Sequence, residues 1–349
     1  LPIRDKVTMP EKALQRIGTL QHIPAVLESL GIPRSRQDEI LGSAAEPLKN
    51  PDAFIPFVEA GALLERCAAA SGCAHFGLLV GERADHRDLG LPGQLMASAA
   101  TVGEALLDFA SCQLRNSNGA VVFIARAEEN IFLGYGVYDR AVASSGHIYD
   151  LASAVGINLL KRLGGARARP TEVMLSRRTP RDRQPYYRIL GAATHFDQPQ
   201  TTIVIPDVVA ALPVATRDDA EHARLISQIR LLLDRHYPEF GARVQHTIRP
   251  NLLMGSVSAR EVARQLGVHV RTLNRRLREE NTTFRELSQQ VRYSVACELL
   301  TITDLPISDV ASALAYATPA ALVHAFQRWS GMAPSEWRAR GKESERPLA

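Results

Sequence analysis

Cysteine is scarce: four in 349 residues (Cys67, Cys73, Cys112 and Cys297), none at C-x-x-C spacing. Free thiols are expected, and a disulfide framework or a thiolate metal cluster is not. Aromatic residues make up 6% of the chain. Long apolar runs are missing as well: stretches such as Phe76–Val80 and Ile203–Ile205 fall far short of the roughly 20 residues of a spanning helix. The first residues, Leu-Pro-Ile-Arg-Asp-Lys, hold no apolar core before a small-residue cleavage site, so no secretory signal is expected. A cytoplasmic protein with no membrane partner is the expectation.

Catalytic signatures are equally sparse. The chain has no G-x-x-x-x-G-K-[ST], no G-x-S-x-G, no G-x-G-x-x-G opening a helix and no H-E-x-x-H. Its ten histidines are scattered, and His75, on an apolar run, reads as a core histidine. Asp85-His86-Arg87-Asp88 is the one compact acid/base cluster and reads as a solvated loop. No enzyme, cofactor or metal is expected.

What is present is an ordinary globular composition, 46% apolar and 22% charged, with length enough for two or three domains. Charge is unevenly distributed. From Gly241 onward there are 15 Arg and Lys against 10 Asp and Glu, a net of +5; residues 1–240 carry 26 against 27, a net of −1. The basic excess belongs to the last third, pointing to a basic module on a near-neutral one.

Residues 1–25 are polar and poorly periodic, a loose lead-in. Helical spacing follows at Ile55–Ala70, Val102–Cys112 and His147–Leu163, the last stopped by Gly164-Gly165. Ala120–Ala127 and Asn130–Tyr138 read as a hairpin around Glu128-Glu129. Strands are expected at Thr171–Arg177, Thr194–Phe196 and Thr201–Ile205, with a short helix around Pro185–Leu190. Strands and helices do not alternate regularly, so 26–206 reads as α+β. Its Phe54, Phe57, Phe76, Met96, Phe109, Tyr135, Tyr138 and Tyr149 read as core more than pocket. The connector at 207–240 carries a helix from Asp218-Asp219 to about Asp234, with Ala223, Ile226, Ile229 and Leu233 on one face. Tyr237-Pro238 to Pro250 is the best interdomain boundary. Residues 251–340 read as all helix, and 341–349 as a tail.

Ser258-Ala-Arg-Glu261 has capping-box form, and a short helix should follow through Leu266. Gly267 supplies a left-handed turn, and a second helix should run from near His269 to Glu280 and stop at Asn281. Small Ala263, then Gly267, then apolar Leu273 is the packing signature of a helix-turn-helix. On the second helix Val270, Leu273 and Leu277 make the buried face; Arg271, Asn274, Arg275 and Arg278 make another with no carboxylate among them. Between Arg260 and Arg278 stand six Arg and one acid. Such a ridge suits an anion, and Arg forks and Asn amides suit guanine and adenine edges; His269 and Thr272 complete the expected contact set. The pattern occurs again. A long helix, Phe284–Thr301, ends at Asp304-Leu305-Pro306; a short helix, Ile307–Leu314, has Ser308 as N-cap and Ala311 as small residue. Pro319–Trp329 follows, with Leu322, Ala325, Phe326 and Trp329 inward and Ala320, Val323, His324, Gln327 and Arg328 facing a groove. The fold class is an α+β N-terminal domain, then an all-α domain with two helix-turn-helix units joined by a long helix.

Residues 241–340 resemble the DNA-binding region of the AraC/XylS transcription regulators. The likeness rests on Leu-Asn-Arg-Arg-Leu at 273–277, Thr-Thr-Phe-Arg-Glu-Leu at 282–287, Arg292 through Leu300 and Pro306-Ile-Ser-Asp-Val-Ala311. It closes with Ala325-Phe-Gln-Arg-Trp-Ser-Gly331-Met-Ala-Pro334-Ser-Glu-Trp-Arg338. Residues 26–206 resemble the effector-binding and dimerisation domain of one subgroup, through Gly90-Leu-Pro-Gly93, Thr101-Val-Gly-Glu-Ala-Leu106, Tyr186-Tyr-Arg-Ile-Leu-Gly191 and His195-Phe-Asp197. The resemblance implies double-stranded DNA, a small-molecule effector, a homodimer and RNA polymerase as partners. Two departures stand out. The second turn has Ala315-Tyr316 where the family usually has Gly-Phe, and its reading helix has His324 where an Arg is frequent. The alternative is a small-molecule sensor or enzyme whose basic helical module docks a protein or RNA; salt dependence and sequence preference separate the two.

Overall fold

The computed structural model describes residues 13–113, 116–137, 142, 145–234, 240–253 and 257–344. The N-terminal part runs β1 (Leu14–Arg16), α1 (Ile23–Ser29), α2 (Arg34–Leu41), β2 (Phe54–Pro56), α3 (Phe57–Ser71) and α4 (Phe76–Glu82). It continues through α5 (Leu91–Ser98), α6 (Val102–Cys112), β3 (Ala120–Ala127), β4 (Asn130–Val137), α7 (Gly146–Gly164) and β5 (Glu172–Met174). Then come α8 (Gln184–Leu190), β6 (Ala193–His195), β7 (Thr201–Pro206), α9 (Asp207–Ala210) and α10 (Asp219–Asp234). The C-terminal part is helical: α11 (Phe240–Leu253), α12 (Ala259–Gln265), α13 (Val270–Glu279), α14 (Phe284–Ile302), α15 (Ile307–Ala313), α16 (Pro319–Ser330) and α17 (Pro334–Ser344).

The β-branched stretches form a five-stranded sheet in the order β3-β4-β7-β5-β6, antiparallel except for β5 beside β6. The expected hairpin is present, with Glu128 left-handed at its turn (φ 53°). Tyr138, expected to end β4, lies outside the described residues. Buried residues of α6, α7, β4 and β7 make one core, and α7 also reaches a second core built by α1, α3 and α4.

That second core corrects the expected lead-in. β1 pairs antiparallel with β2, and Ile17, Leu20 and Ile23 are buried. Three apolar residues at intervals of three among polar neighbours suffice to seat the segment. Ile55, expected on a helix, lies in β2; Pro56 separates strand from helix, and α3 starts at Phe57. The Asp85–Asp88 cluster is no solvated loop. It forms a short 3-10 turn closed by a full capping box, and the Asp88 carboxylate accepts from Gln21 (2.9 Å) and pairs with His22 (2.8 Å). His75 is half-buried at the N-cap of α4, and burial lowers its pKa.

The expected boundary needs revision too. Tyr237-Pro238 lies outside the described residues, but Gly241 to Pro250 is helix, within α11. Phe240, Val244, Ile248 and Leu252, spaced by four, put it in the C-terminal core. The sequence signals of glycine and proline concealed that stripe. In the connector, Leu225 and Ile229 of α10 dock against Leu95 and Cys112, while Ala223 is exposed rather than inward. His222 fixes the docking through Asp108 (2.8 Å).

The two C-terminal turns share one backbone geometry. Gly267 (φ 67°) is followed by a Val268 N–H to Ala263 bond of 2.9 Å; Ala315 (φ 54°) is followed by a Tyr316 N–H to Ala311 bond of 2.9 Å. An alanine there bears the left-handed strain that glycine escapes. Ala315→Gly should therefore stabilise the protein by about 0.5–1 kcal/mol; a fall in the urea unfolding midpoint would contradict this account.

Candidate nucleic-acid interface

The first helix-turn-helix is α12, the Gly267 turn and α13. Ser258 caps α12 by accepting from the Glu261 N–H (3.1 Å), but the Glu261 carboxylate turns to Arg264 and Gln265. Of the expected capping box, the serine arm is in place; the glutamate serves the helix surface. Ala263, Leu273 and Leu277 are buried, and Val270 is half-buried against the same core. Asn281 stops α13 with φ 55°.

Burying Leu273 and Leu277 turns the other side of α13 outward. Arg271, Asn274, Arg275 and Arg278 are all exposed. Thr272 is half-buried, and exposed His269 caps the helix, its Nδ1 accepting from the Arg271 N–H (3.2 Å). The ridge is not wholly free of carboxylate: Glu279 accepts from Arg275 at 2.7 Å, the two side chains 64% and 58% exposed. A solvated pair of this kind is worth a few tenths of a kcal/mol, so an approaching phosphate or base can displace it. Arg276 leaves the ridge and lies over the Phe240 ring (5.2 Å). Glu280 accepts from the N–H groups of Phe240 and Gly241 (both 2.7 Å), joining α11 to the end of α13.

The second unit is α15, the Ala315 turn and α16. α15 starts after Pro306, not from a Ser308 cap; Ser308 Oγ instead meets Asp309 (3.0 Å). Thr318 caps α16, accepting from the Ala321 N–H (3.2 Å). Leu322, Ala325 and Phe326 are buried, and the Tyr293 ring stacks within 5.7 Å of Phe326 and 5.6 Å of Trp329. Outward stand exposed Ala320, His324, Gln327 and Arg328, with Val323 half-buried. The two outward faces thus differ: α13 offers three guanidiniums and an amide, α16 one guanidinium, one amide, an imidazole and small groups. Long α14 carries both units, its Leu287, Val291, Val295 and Leu299 buried beneath them.

The interface is tied to the N-terminal part by a polar node that the sequence reading missed. Arg249 of α11 is 3% exposed. Its guanidinium donates to Glu298 of α14, to the Val137 carbonyl of β4 and to Tyr149 Oη of α7. Tyr149 Oη also accepts from the Val137 N–H (3.2 Å) and donates to Glu298. Burial pushes the Glu298 carboxyl well above its usual range, against a hydrogen bond from Ser145. A side chain at Gly136 would collide with Arg249. A second tether runs from Arg178 to the Thr301 carbonyl and Asp304 (3.3 Å), with Asp197 accepting from the Asp304 N–H (2.7 Å). One signal was available: Glu298 follows Val291 by seven and Val295 by three, an acid on an apolar helix face.

Two helix-turn-helix units on one long helix, behind an α+β domain, define a DNA-binding regulator. The chain belongs to the AraC family of transcription regulators: the family model described as "Arabinose-binding domain of AraC transcription regulator, N-term" matches residues 31–214. A second, described as "Helix-turn-helix domain", matches 262–340. The N-terminal part is the effector-binding domain and the C-terminal part the DNA-binding domain. The HTH-type transcriptional regulator VirS of Mycobacterium tuberculosis is 27% identical over 300 residues, 84% of this chain and 87% of that protein. The ornithine utilization regulator of Pseudomonas aeruginosa is 25% identical over 321 residues, 88% and 91% of the two chains. The crystal structure of the transcriptional regulator CdpR from Pseudomonas aeruginosa aligns with 92% of this chain and 98% of its own, at 22% identity and a TM-score of 0.46. Among the described residues no single helix is long and apolar enough to cross a membrane. Nor does any cluster of three His, Cys, Asp or Glu among them suit a metal ion.

Removing one member of the buried node strands the other. Glu298→Leu should destabilise the protein by about 3–5 kcal/mol, while Arg249→Met with Glu298→Leu should recover most of that loss. Urea unfolding of the three proteins measures it; a double variant no more stable than the single would refute the pairing.

Proposed function

We propose that this regulator reads its operator mainly through α13 and uses α16 chiefly to hold its place on the duplex. The observation that carries this is the contrast between the two exposed faces. Arg271, Asn274, Arg275 and Arg278 have the forks and amide that discriminate base edges in the major groove. His269 and Thr272, at the start of α13, would serve nearby phosphates or bases. On α16, Arg328 would contact phosphate, while Ala320, Val323, His324 and Gln327 add shape and little sequence information. With both units on α14, the two contacted elements should lie about one DNA turn apart.

The protein would act as a homodimer in the cytoplasm, work with RNA polymerase and catalyse no reaction; family likeness supports the homodimer, the polymerase contact and the lack of catalysis. The Arg249–Glu298–Tyr149 node supports a route for the effector signal. A ligand that favours one arrangement of the N-terminal domain would alter how firmly α11 and α14 are held, and so how freely α13 and α16 engage DNA.

Selection from randomised sites tests the division of labour. Arg275→Ala should relax preference at one position by about 1–3 kcal/mol. His324→Ala should relax it less, and Arg328→Ala should weaken all sequences alike and reduce the salt slope by about one. Equal loss of preference in Arg275→Ala and His324→Ala would overturn it.

A further inference from the structure

Inside the N-terminal domain, between α3, α6, α7 and the sheet, lies a cavity of about 100 Å³. Its walls are mostly apolar, with Phe57, Leu64, Phe109, Leu133, Tyr135 and Ile203 among them, and none of the described residues that line it is charged. Two polar groups at its surface lack partners. Asn116 is 8% exposed and Ser153 2% exposed, and neither Asn116 Nδ2 nor Ser153 Oγ makes a hydrogen bond.

The Ser153 hydroxyl is the more telling. A helical serine can donate to the carbonyl three or four residues back. Ser71, Ser227, Ser288, Ser312 and Ser330 all do so here, at 2.7–3.1 Å. Ser153 on α7 does not, although burying an unsatisfied hydroxyl costs about 1–3 kcal/mol. Asn158 and Asn251 likewise place their Nδ2 groups on carbonyls, at 2.6 and 2.7 Å; Asn116 does not. Of the other polar side chains on the wall, Gln15, Gln113, Ser117 and Thr201 are engaged. Gln113 donates to the Ser117 and Ala120 carbonyls, and Thr201 Oγ1 accepts from the Ser176 N–H.

We infer that this cavity binds a small, uncharged, largely apolar molecule carrying a hydrogen-bond acceptor for Ser153 Oγ, and that it does not take a monosaccharide. The inference rests on the effector-binding reading of the domain and narrows it. An ion would be buried without a counter-charge. A sugar would press several hydroxyls and their ring against walls that are mostly apolar. Size agrees: an apolar cavity of roughly 150 Å³ holds benzene, so the occupant has on the order of six heavy atoms. The larger space at the domain junction, about 280 Å³, is a weaker candidate because its charged group and its indole N–H are used. Glu298 there is held by Arg249 and Tyr149, and Trp337 Nε1 donates to Thr301 Oγ1.

Titration calorimetry on the full chain, without DNA, tests this with four probes: cyclohexanone, toluene, benzoate and L-arabinose. Cyclohexanone should bind saturably, toluene at least threefold more weakly, and benzoate and arabinose not at all. Ser153→Ala keeps the helix, alanine being the stronger helix former. It should weaken cyclohexanone roughly three- to tenfold and leave toluene unchanged. Preference for arabinose or benzoate, equal affinity for toluene and cyclohexanone, or an unaltered Ser153→Ala variant would overturn the inference. Because no DNA is present, that failure would leave the reading of α13 standing, and failure of the α13 substitutions would leave the ligand result standing.

Discussion

A guanidinium and a carboxylate buried together fix how the two halves of this protein meet. Arg249 comes from the first helix of the DNA-binding part, Glu298 from the helix that carries both reading units, and Tyr149 from the central helix of the effector domain. Burying two charges is favourable only when geometry is good and the remaining polar atoms find partners. Here the Val137 carbonyl and the Tyr149 hydroxyl take up the two terminal nitrogens of the guanidinium, and the same hydroxyl donates to Glu298. Such a node gives little net stability but tolerates few alternative dockings. Gly136 belongs to the same constraint, since the guanidinium occupies the place of its missing side chain.

The two helix-turn-helix units are alike in backbone and unlike in chemistry. Both have a small buried residue before the turn, Ala263 and Ala311, and both have a left-handed turn residue. The first gives that position to glycine, the second to alanine with its strain. The first exposes a cationic ridge; the second spends its helix on aromatic packing around Tyr293, Phe326, Trp329 and Trp337. Within that cluster α16 and α17 are clamped to α14, so the second unit has structural work that the first does not share.

How much of this was legible in the sequence depended on the range of the interactions. The helices from α12 to α16 follow from local rules: apolar residues at three and four, Gly267 and Asn281 at positions needing positive φ, Pro306 as a breaker. The hairpin of β3 and β4 follows from β-branched and aromatic runs on either side of Glu128-Glu129. Residues 13–25 and α11 were hidden because their buried residues are few and set among turn formers; only tertiary contact makes Ile17 or Val244 core. The outward ridge of α13 was readable from the helical period, except for the carboxylate of Glu279, which lies one turn beyond Arg275. Glu298 left a trace, as a charge on an apolar face. The cavity left none, because an absent hydrogen bond at Ser153 is a property of packing and not of residue type.

The cavity and the node are joined through two rings. Tyr135 lines the cavity and stands edge-on to Tyr149 with centroids 6.1 Å apart. The Tyr149 hydroxyl in turn donates to Glu298. A ligand shifts an equilibrium only by binding its two states unequally. Tyr135 is where such inequality can arise, for it touches the occupant's space on one side and the holder of the interdomain carboxylate on the other. Ser153 is on α7 as well, four residues and about one helical turn beyond Tyr149. An occupant that engages the Ser153 hydroxyl therefore acts on the same turn of helix that presents Tyr149 to the DNA-binding domain. A coupling between ligand and DNA sites would need no long relay: one helix and one pair of rings lie between the cavity wall and the helix on which both reading units are mounted.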